Sequence, residues 1–253
     1  MYFHMVGFNM QYKIIVLVFF TMMICTSVNS QQNPSIDLGN GFSLMPNLIY
    51  VSSATVQLNP FSVNEFERSL TEELSGGYGY GLAFRKKFLR EDLSFGISTE
   101  FIRIVDRELT ETFENDSVRY RVRVSEELSM IPIEFTGYFN IPDFSEDLKI
   151  YLGGGVGVYF GDRKRTVLNI QSTSISKQAG FSFVVLSGVE YFFTKNVSGV
   201  FEMRFRQAEY KVKSEYPVAN ININGTSFPL NKNLNSKIFV DGLKLSLGLA
   251  YNF

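Results

Sequence analysis

Charged residues recur at every second position inside otherwise apolar stretches of this chain, and that spacing restricts the chemistry open to them. Glu202, Arg204 and Arg206 alternate with Phe201, Met203 and Phe205, while Arg85, Glu100, Glu134, Glu190 and Lys244 hold the equivalent phase in other stretches. Successive side chains of a strand point to opposite faces. These four acids and four bases therefore project away from the aromatic faces, toward one another, if the strands share an interior. Removing one member of a buried ion pair costs ~3–5 kcal/mol, so a near-balanced set in a confined space is expected to form a packed salt-bridge network. Tyr138, Tyr151 and Tyr159 share those faces and fill volume, which favours a plug over the alternative, a narrow water-filled conduit lined by solvated charges.

Other constellations carry less. Glu72-Glu73 and Glu126-Glu127 pair carboxylates, but adjacent residues on a strand face opposite sides and cannot share a proton. The only histidine is His4 and the only cysteine Cys25. Beyond residue 30 there is no imidazole base and no imidazole or thiolate metal ligand. We expect no catalysis, metal or cofactor. The glycines 153, 154, 155 and 157 lack the strand-to-helix context of a phosphate loop; inside an alternating strand they leave room for large neighbours. Asn196-Val197-Ser198 and Asn224-Gly225-Thr226 match a glycosylation pattern that occurs often by chance.

Eight stretches alternate well enough to be strands: Phe42–Leu58, Gly76–Phe88, Leu93–Leu109, Tyr120–Ile141, Leu148–Asp162, Gly180–Phe193, Val197–Lys213 and the terminal segment from Gly242. In the last, Leu243, Leu245, Leu247, Leu249, Tyr251 and Phe253 form one greasy face against Gly242, Lys244, Ser246, Gly248, Ala250 and Asn252. Short connections (89–92, 142–147, 194–196) alternate with long polar ones (59–75, 110–119, 163–177, 214–237). Within the first long connection, Phe61, Phe66 and Leu70 fit a short helix on the rim. The last, rich in asparagine, reads as a polar loop. Ile102 and Ile104 fall in the inward phase, so a bulge is expected to shift register above Glu100.

Lys13 is the sole charge among the first thirty residues and precedes the apolar run Ile14–Cys25. That is the pattern of a cleaved secretory signal peptide ending near Ser30, with Met10 an alternative start. The large Ile24 argues against Cys25 as a lipid acceptor. No later apolar run reaches the ~18 residues of a helical span. Loss of Lys13 with no acid moves the formal charge from -1 to -2, which gives no basis for nucleic-acid binding. No linker or change of composition divides residues 31–253, so one domain is expected.

The alternation, the asymmetric connections and the tail Ser246-x-Gly248-x-x-Tyr251-x-Phe253 resemble the small eight-stranded outer membrane β-barrels of Gram-negative bacteria, the OmpA-type and OmpX-type group; Ile131–Asn140 also looks like a strand of that family. The resemblance spans residues 38–253. It implies an all-β, antiparallel, up-and-down transmembrane barrel, monomeric, with both termini periplasmic. It also implies lipid partners in the outer membrane and recognition of Ser246, Gly248, Tyr251 and Phe253 by the barrel-assembly machinery. Peptidoglycan attachment through a C-terminal periplasmic domain, as in full OmpA-type proteins, is not implied. The role implied is structural or surface-interacting, with ligands reached through long loops, and a porin-like passive channel is the alternative. Arg119, Arg121 and Arg123, facing Asp106, Glu108 and Glu111, are expected to brace a projecting hairpin; the competing reading is a cationic stripe for lipopolysaccharide phosphates.

Overall fold

The computed structural model describes residues 41–88, 92–115, 118–142 and 147–253. The signal-peptide segment, residues 1–30, lies outside the described residues, as do most of the turns at 89–92 and 142–147. The alternating stretches fold as β1 (Phe42–Gln57), β2 (Thr71–Lys87), β3 (Leu93–Glu114), β4 (Arg119–Asn140), β5 (Leu148–Val167), β6 (Ile170–Gln171), β7 (Thr173–Gln178), β8 (Gly180–Phe192), β9 (Val197–Arg206), β10 (Ala208–Glu215), β11 (Asn220–Ile223), β12 (Thr226–Pro229), β13 (Asn233–Val240) and β14 (Lys244–Asn252). A short helix, α1 (Glu65–Ser69), follows β1, capped by the Asn64 side chain, which accepts from the Phe66 N–H.

Eight of these strands close a ring in the order β1-β2-β3-β4-β5-β8-β9-β14, with β14 returning to β1, and every ladder is antiparallel. The seam runs from Ser43 opposite Asn252 to Val51 opposite Lys244. At its end, Phe42 and Phe253 exchange backbone hydrogen bonds of 3.1 and 2.9 Å. Closure leaves no strand edge in the ring, the condition for a sheet that meets hydrocarbon.

Three of the stretches expected to be polar loops are instead prolonged strands. β2 begins at Thr71, β3 and β4 extend to Glu114 and Arg119, and β5 runs on to Val167, so the wall continues as a tower well above the aromatic faces. On the other side β7, β10 and β13 extend β8, β9 and β14 after breaks at Ala179, Gln207 and residues 241–243. The inward phase survives the second break: Glu202, Arg204, Arg206, Ala208, Tyr210, Val212 and Ser214 are all buried. A bulge in β3 between Asp106 and Leu109 does change phase, moving the inward face from Ile102 and Ile104 to Glu111 and Phe113. The asparagine-rich segment is not a plain polar loop. It holds the hairpin β11–β12, whose Asn224-Gly225 turn has φ of 50° and 84°, the pairing of a two-residue type I′ turn. Its Ile221, Ile223 and Phe228 are buried against Phe113, Val122, Val124 and Val167 at the top of the tower.

The outer face of the ring carries an unbroken apolar belt. Leu48, Tyr80, Ile97, Phe135, Leu152, Phe183, Phe201, Leu247 and Tyr251 are all exposed on it. Along β5 the outward positions from Ile150 to Phe160 span ten residue steps, ~33 Å of strand, or ~25 Å in height at a tilt near 40°. Aromatic pairs mark both margins. Phe42 stacks with Phe84 (5.4 Å) and with Phe253 (6.0 Å) at the turn end, and Tyr50 lies 5.2 Å from Tyr78 at the tower end.

A sealed lumen as the candidate functional site

The interior is built in layers that follow from the inward phase of each strand. Nearest the turn end, Tyr138 and Tyr151 meet edge to face (5.8 Å) and pack with Met45, Ala83, Leu186, Val200 and Ala250. Tyr151 fits because its partner strand presents Gly188: a Cβ there would lie 2.4 Å from the ring. The Arg85 guanidinium sits 4.3 Å from the Tyr138 ring centroid and 4.9 Å from that of Tyr151, bridging this layer to the next.

The next layer is an ion network. Arg85 pairs with Glu202, and Arg204 Nη2 donates to Glu202 (2.8 Å) while its Nη1 donates to Glu134 (2.6 Å). Arg206 Nη1 is shared between Glu134 (3.0 Å) and Glu100 (3.1 Å), and Lys244 closes on Glu100. The hydroxyls of Tyr151 and Tyr159 donate to Glu202 (2.8 Å) and Glu134 (2.9 Å). Seven of the eight charged residues singled out by phase thus meet in one cluster contributed by β2, β3, β4, β9 and β14. Glu190 does not join them. It accepts from Ser198 Oγ at 2.5 Å beside the turn-end mouth, facing inward but one layer too low. The cluster has four cations and three carboxylates, and Arg85 Nε, Arg206 Nε and Arg206 Nη2 find no hydrogen-bond partner among the described residues.

Above it lies an apolar septum: Ile49, Val51, Ala54, Val56, Leu74, Ile102, Ile104, Leu128, Met130, Val212, Ile238 and Val240, with Tyr159 and Tyr210. A second ion network follows inside the tower. Arg163 grips Glu126 with Nε (2.5 Å) and Nη2 (3.1 Å), and Arg165 reaches Glu126 (2.8 Å), Glu72 (2.6 Å) and Glu111 (3.2 Å). Burial works against the Arg165 charge, yet the Glu72, Glu126 and Glu111 carboxylates outweigh it and raise its pKa above the ordinary arginine value. Sequence reasoning placed Arg163 at the start of a loop and missed this network. The signal was the phase Tyr159-x-Gly161-x-Arg163-x-Arg165-x-Val167, which continues without interruption. The adjacent acids do split between faces: Glu126 is buried, whereas Glu127 pairs outside with Arg103 at 2.9 Å. Over the top, Phe228 packs edge-on against Tyr120 (5.8 Å) and Phe113 (6.3 Å), with Val122, Val124, Val167 and Tyr216 around them.

On the tower's outer face Arg119, Arg121 and Arg123 are exposed in a row. Their partners differ from those anticipated. Arg119 pairs with Glu114 (2.5 Å) and Arg121 donates to Thr110 (3.0 Å), whereas Glu111 turns inward to Arg165. Asp106 accepts from Ser75 (3.2 Å) and from the Glu108 N–H (2.9 Å). On β14, Ser246 and Gly248 face inward, Gly248 close against Met45 and the Pro46 carbonyl, while Tyr251 and Phe253 face outward.

No family model and no curated protein sequence matches the chain. Among solved structures, the chain is similar to Neisserial surface protein A (17% identity, 84% of this chain and 97% of that one, TM-score 0.44). It is also similar to the N-terminal barrel of Pseudomonas aeruginosa OprF (11%, 83% and 97%, TM-score 0.37). A third, the Yersinia pestis attachment invasion locus protein Ail, was solved with the heparin analogue sucrose octasulfate (12%, 85% and 99%, TM-score 0.37). By the ring closure and strand order described above, the chain folds as an eight-stranded, antiparallel, up-and-down β-barrel.

Proposed function

We propose that the chain is an integral, monomeric outer membrane barrel with a closed lumen, whose work is structural or is done by its surface-projecting tower. The single observation that carries this reading is the stack inside the ring: two ion networks separated by an apolar septum and topped by a hairpin. A solute following the axis would have to break buried ion pairs twice and cross a dry layer between them. The belt's ~25 Å height and its aromatic margins support a lipid surround. In that setting the short turns and both ends of the ring face the periplasm and the tower stands outside. The terminal Tyr251 and Phe253, outward on the seam strand, are the groups the assembly machinery would read. Signal-peptide removal near Ser30 and a single domain over 31–253 belong to the same proposal.

Planar-bilayer recording tests it. The folded chain is expected to give no steady single-channel steps. Stepwise conductance that changes when Glu202 or Arg204 is neutralised would favour the narrow passive channel instead.

A further inference from the structure

The outer surface of the wall has a defect where β8 and β9 give way to β7 and β10. The β8–β9 ladder ends at Val184 opposite Arg206, and pairing resumes only at Gln178 opposite Lys211, between β7 and β10. Six residue steps on one strand face five on the other, so the sheet bulges and the pairing lapses. Gly180 is required at this point, because a Cβ would stand 1.8 Å from the Glu209 carbonyl oxygen. The lapse leaves an outward-opening notch of about 400 Å³, floored by Gly180 and Tyr210 and walled by Gln178, Phe181, Gln207, Glu209, Lys211 and Phe239. That volume falls within the ~300–1,000 Å³ of small-ligand sites.

Its height and its charge point to a ligand. Phe181 belongs to the apolar belt, packing edge-on with Phe183 at 5.6 Å, so the notch straddles the belt's upper margin. There Lys211 is directly cross-strand from Lys237, a like-charge pairing that is unfavourable by itself. Glu209 relieves Lys237 alone, at 2.8 Å. Among the described residues no carboxylate lies within ion-pair distance of Lys211 Nζ, whose neighbour is the Phe61 ring at 5.7 Å. Lys213 is exposed one outward position further up. Two amides, an unneutralised ammonium and aromatic walls at the hydrocarbon boundary match a group that is anionic at one end and continuous with acyl chains at the other.

We propose that this notch holds the phosphorylated headgroup of an outer-leaflet glycolipid, with Lys211 and the Gln178 and Gln207 amides on the phosphate and Phe181 against the first acyl carbons. The inference rests on the membrane reading above. The test uses the full mature chain refolded into phosphatidylcholine nanodiscs and titrated with bisphosphorylated lipid A, its dephosphorylated form, or inorganic phosphate. Wild type is expected to bind the phosphorylated lipid about tenfold more tightly than the dephosphorylated one. Lys211→Gln, on the outer surface and remote from the ion networks, is expected to erase most of that preference while still migrating as a compact, heat-modifiable band. Arg121→Gln, high on the tower, is expected to leave it intact. Equal binding of the two lipids, an unchanged Lys211→Gln, or loss through Arg121→Gln would each overturn the inference. Competition by inorganic phosphate at lipid-like concentrations would also overturn it, identifying a soluble anion instead. Failure of the wild type to insert at all would sink the membrane reading itself.

Discussion

Glu134→Gln is nearly isosteric and removes one charge from the centre of the lower ion network. The carboxylate accepts from Arg204 (2.6 Å), Arg206 (3.0 Å) and the Tyr159 hydroxyl (2.9 Å). After the change four cations face two carboxylates. Arg204 keeps Glu202, but Arg206 keeps only Glu100 at 3.1 Å, and its Nε and Nη2 already lack partners among the described residues. An under-neutralised guanidinium in a dry layer costs ~3–5 kcal/mol. The internal control is Glu127→Gln, which breaks the half-exposed pair with Arg103 and should cost ~0.2–1 kcal/mol. Removing Arg206 as well, in Glu134→Gln/Arg206→Gln, restores the formal excess to one cation, so the double variant should recover a large part of the loss, a coupling of ~1–3 kcal/mol. Urea titration of the refolded barrel, read by the mobility difference between compact and unfolded bands, measures all four species; the chain has no tryptophan to serve as a fluorescent probe. If Glu134→Gln costs no more than Glu127→Gln, the interior is solvated, and the argument for a sealed lumen fails with it.

Two further outcomes concern the tower. Phe228→Ala removes the edge contacts to Phe113 and Tyr120 and should cost ~3–5 kcal/mol locally; protease cleavage between Tyr216 and Lys232 is expected to accelerate while the urea midpoint of the ring stays put, and a shift of the ring midpoint instead would show that the hairpin is part of the barrel's cooperative unit. Burial raises the carboxyl pKa of Asp106 and Asp162, but the Glu108 and Ser75 donors at the first and Ser174 and Lys177 at the second outweigh it, and both fall below the usual 3.8. A depressed carboxyl contributes stability that is fully present above the unfolded value and lost as pH falls through the folded one. Amide exchange in β3 and β5 above the belt should therefore rise below pH ~4 with little change between pH 5 and 8; a loss centred near neutrality would refute the assignment.

The ring was legible wherever one face is apolar and the other is not. β14 and the belt portion of β5 announce themselves because outward Leu, Val, Phe and Tyr alternate with Gly, Ser and Lys. The tower was not, for a physical reason: its inner face is itself ionic, so Glu72, Glu126, Arg163 and Arg165 erase the apolar alternation, and a buried charged strand reads like a solvated loop. Alternation also gives face without depth. It set Glu190 inward, as it is, but could not say that Arg85 and Glu202 would meet a layer above it. The phase of Ile102 and Ile104 signalled a bulge above Glu100 but not its position, which is why Glu111 was set opposite the arginine row and is found on Arg165. In the asparagine-rich segment the informative pieces were Ile221, Ile223 and the Asn224-Gly225 turn, sparse enough to be lost among polar neighbours.

The seam between the first and last ring strands has a kinetic meaning. Every other ladder of the ring joins strands that neighbour each other in the ring's chain order, whereas Ser43 must find Asn252 across nearly the whole domain. Closing a flexible loop of that length costs ~5 kcal/mol of chain entropy before any seam bond repays it. Until that meeting, two rows of unsatisfied amides and carbonyls remain open at once, and the eight strands, joined by seven ladders, are a curved sheet with adhesive borders. The residues of the last ring strand are therefore the ones that turn an aggregation hazard into a cylinder.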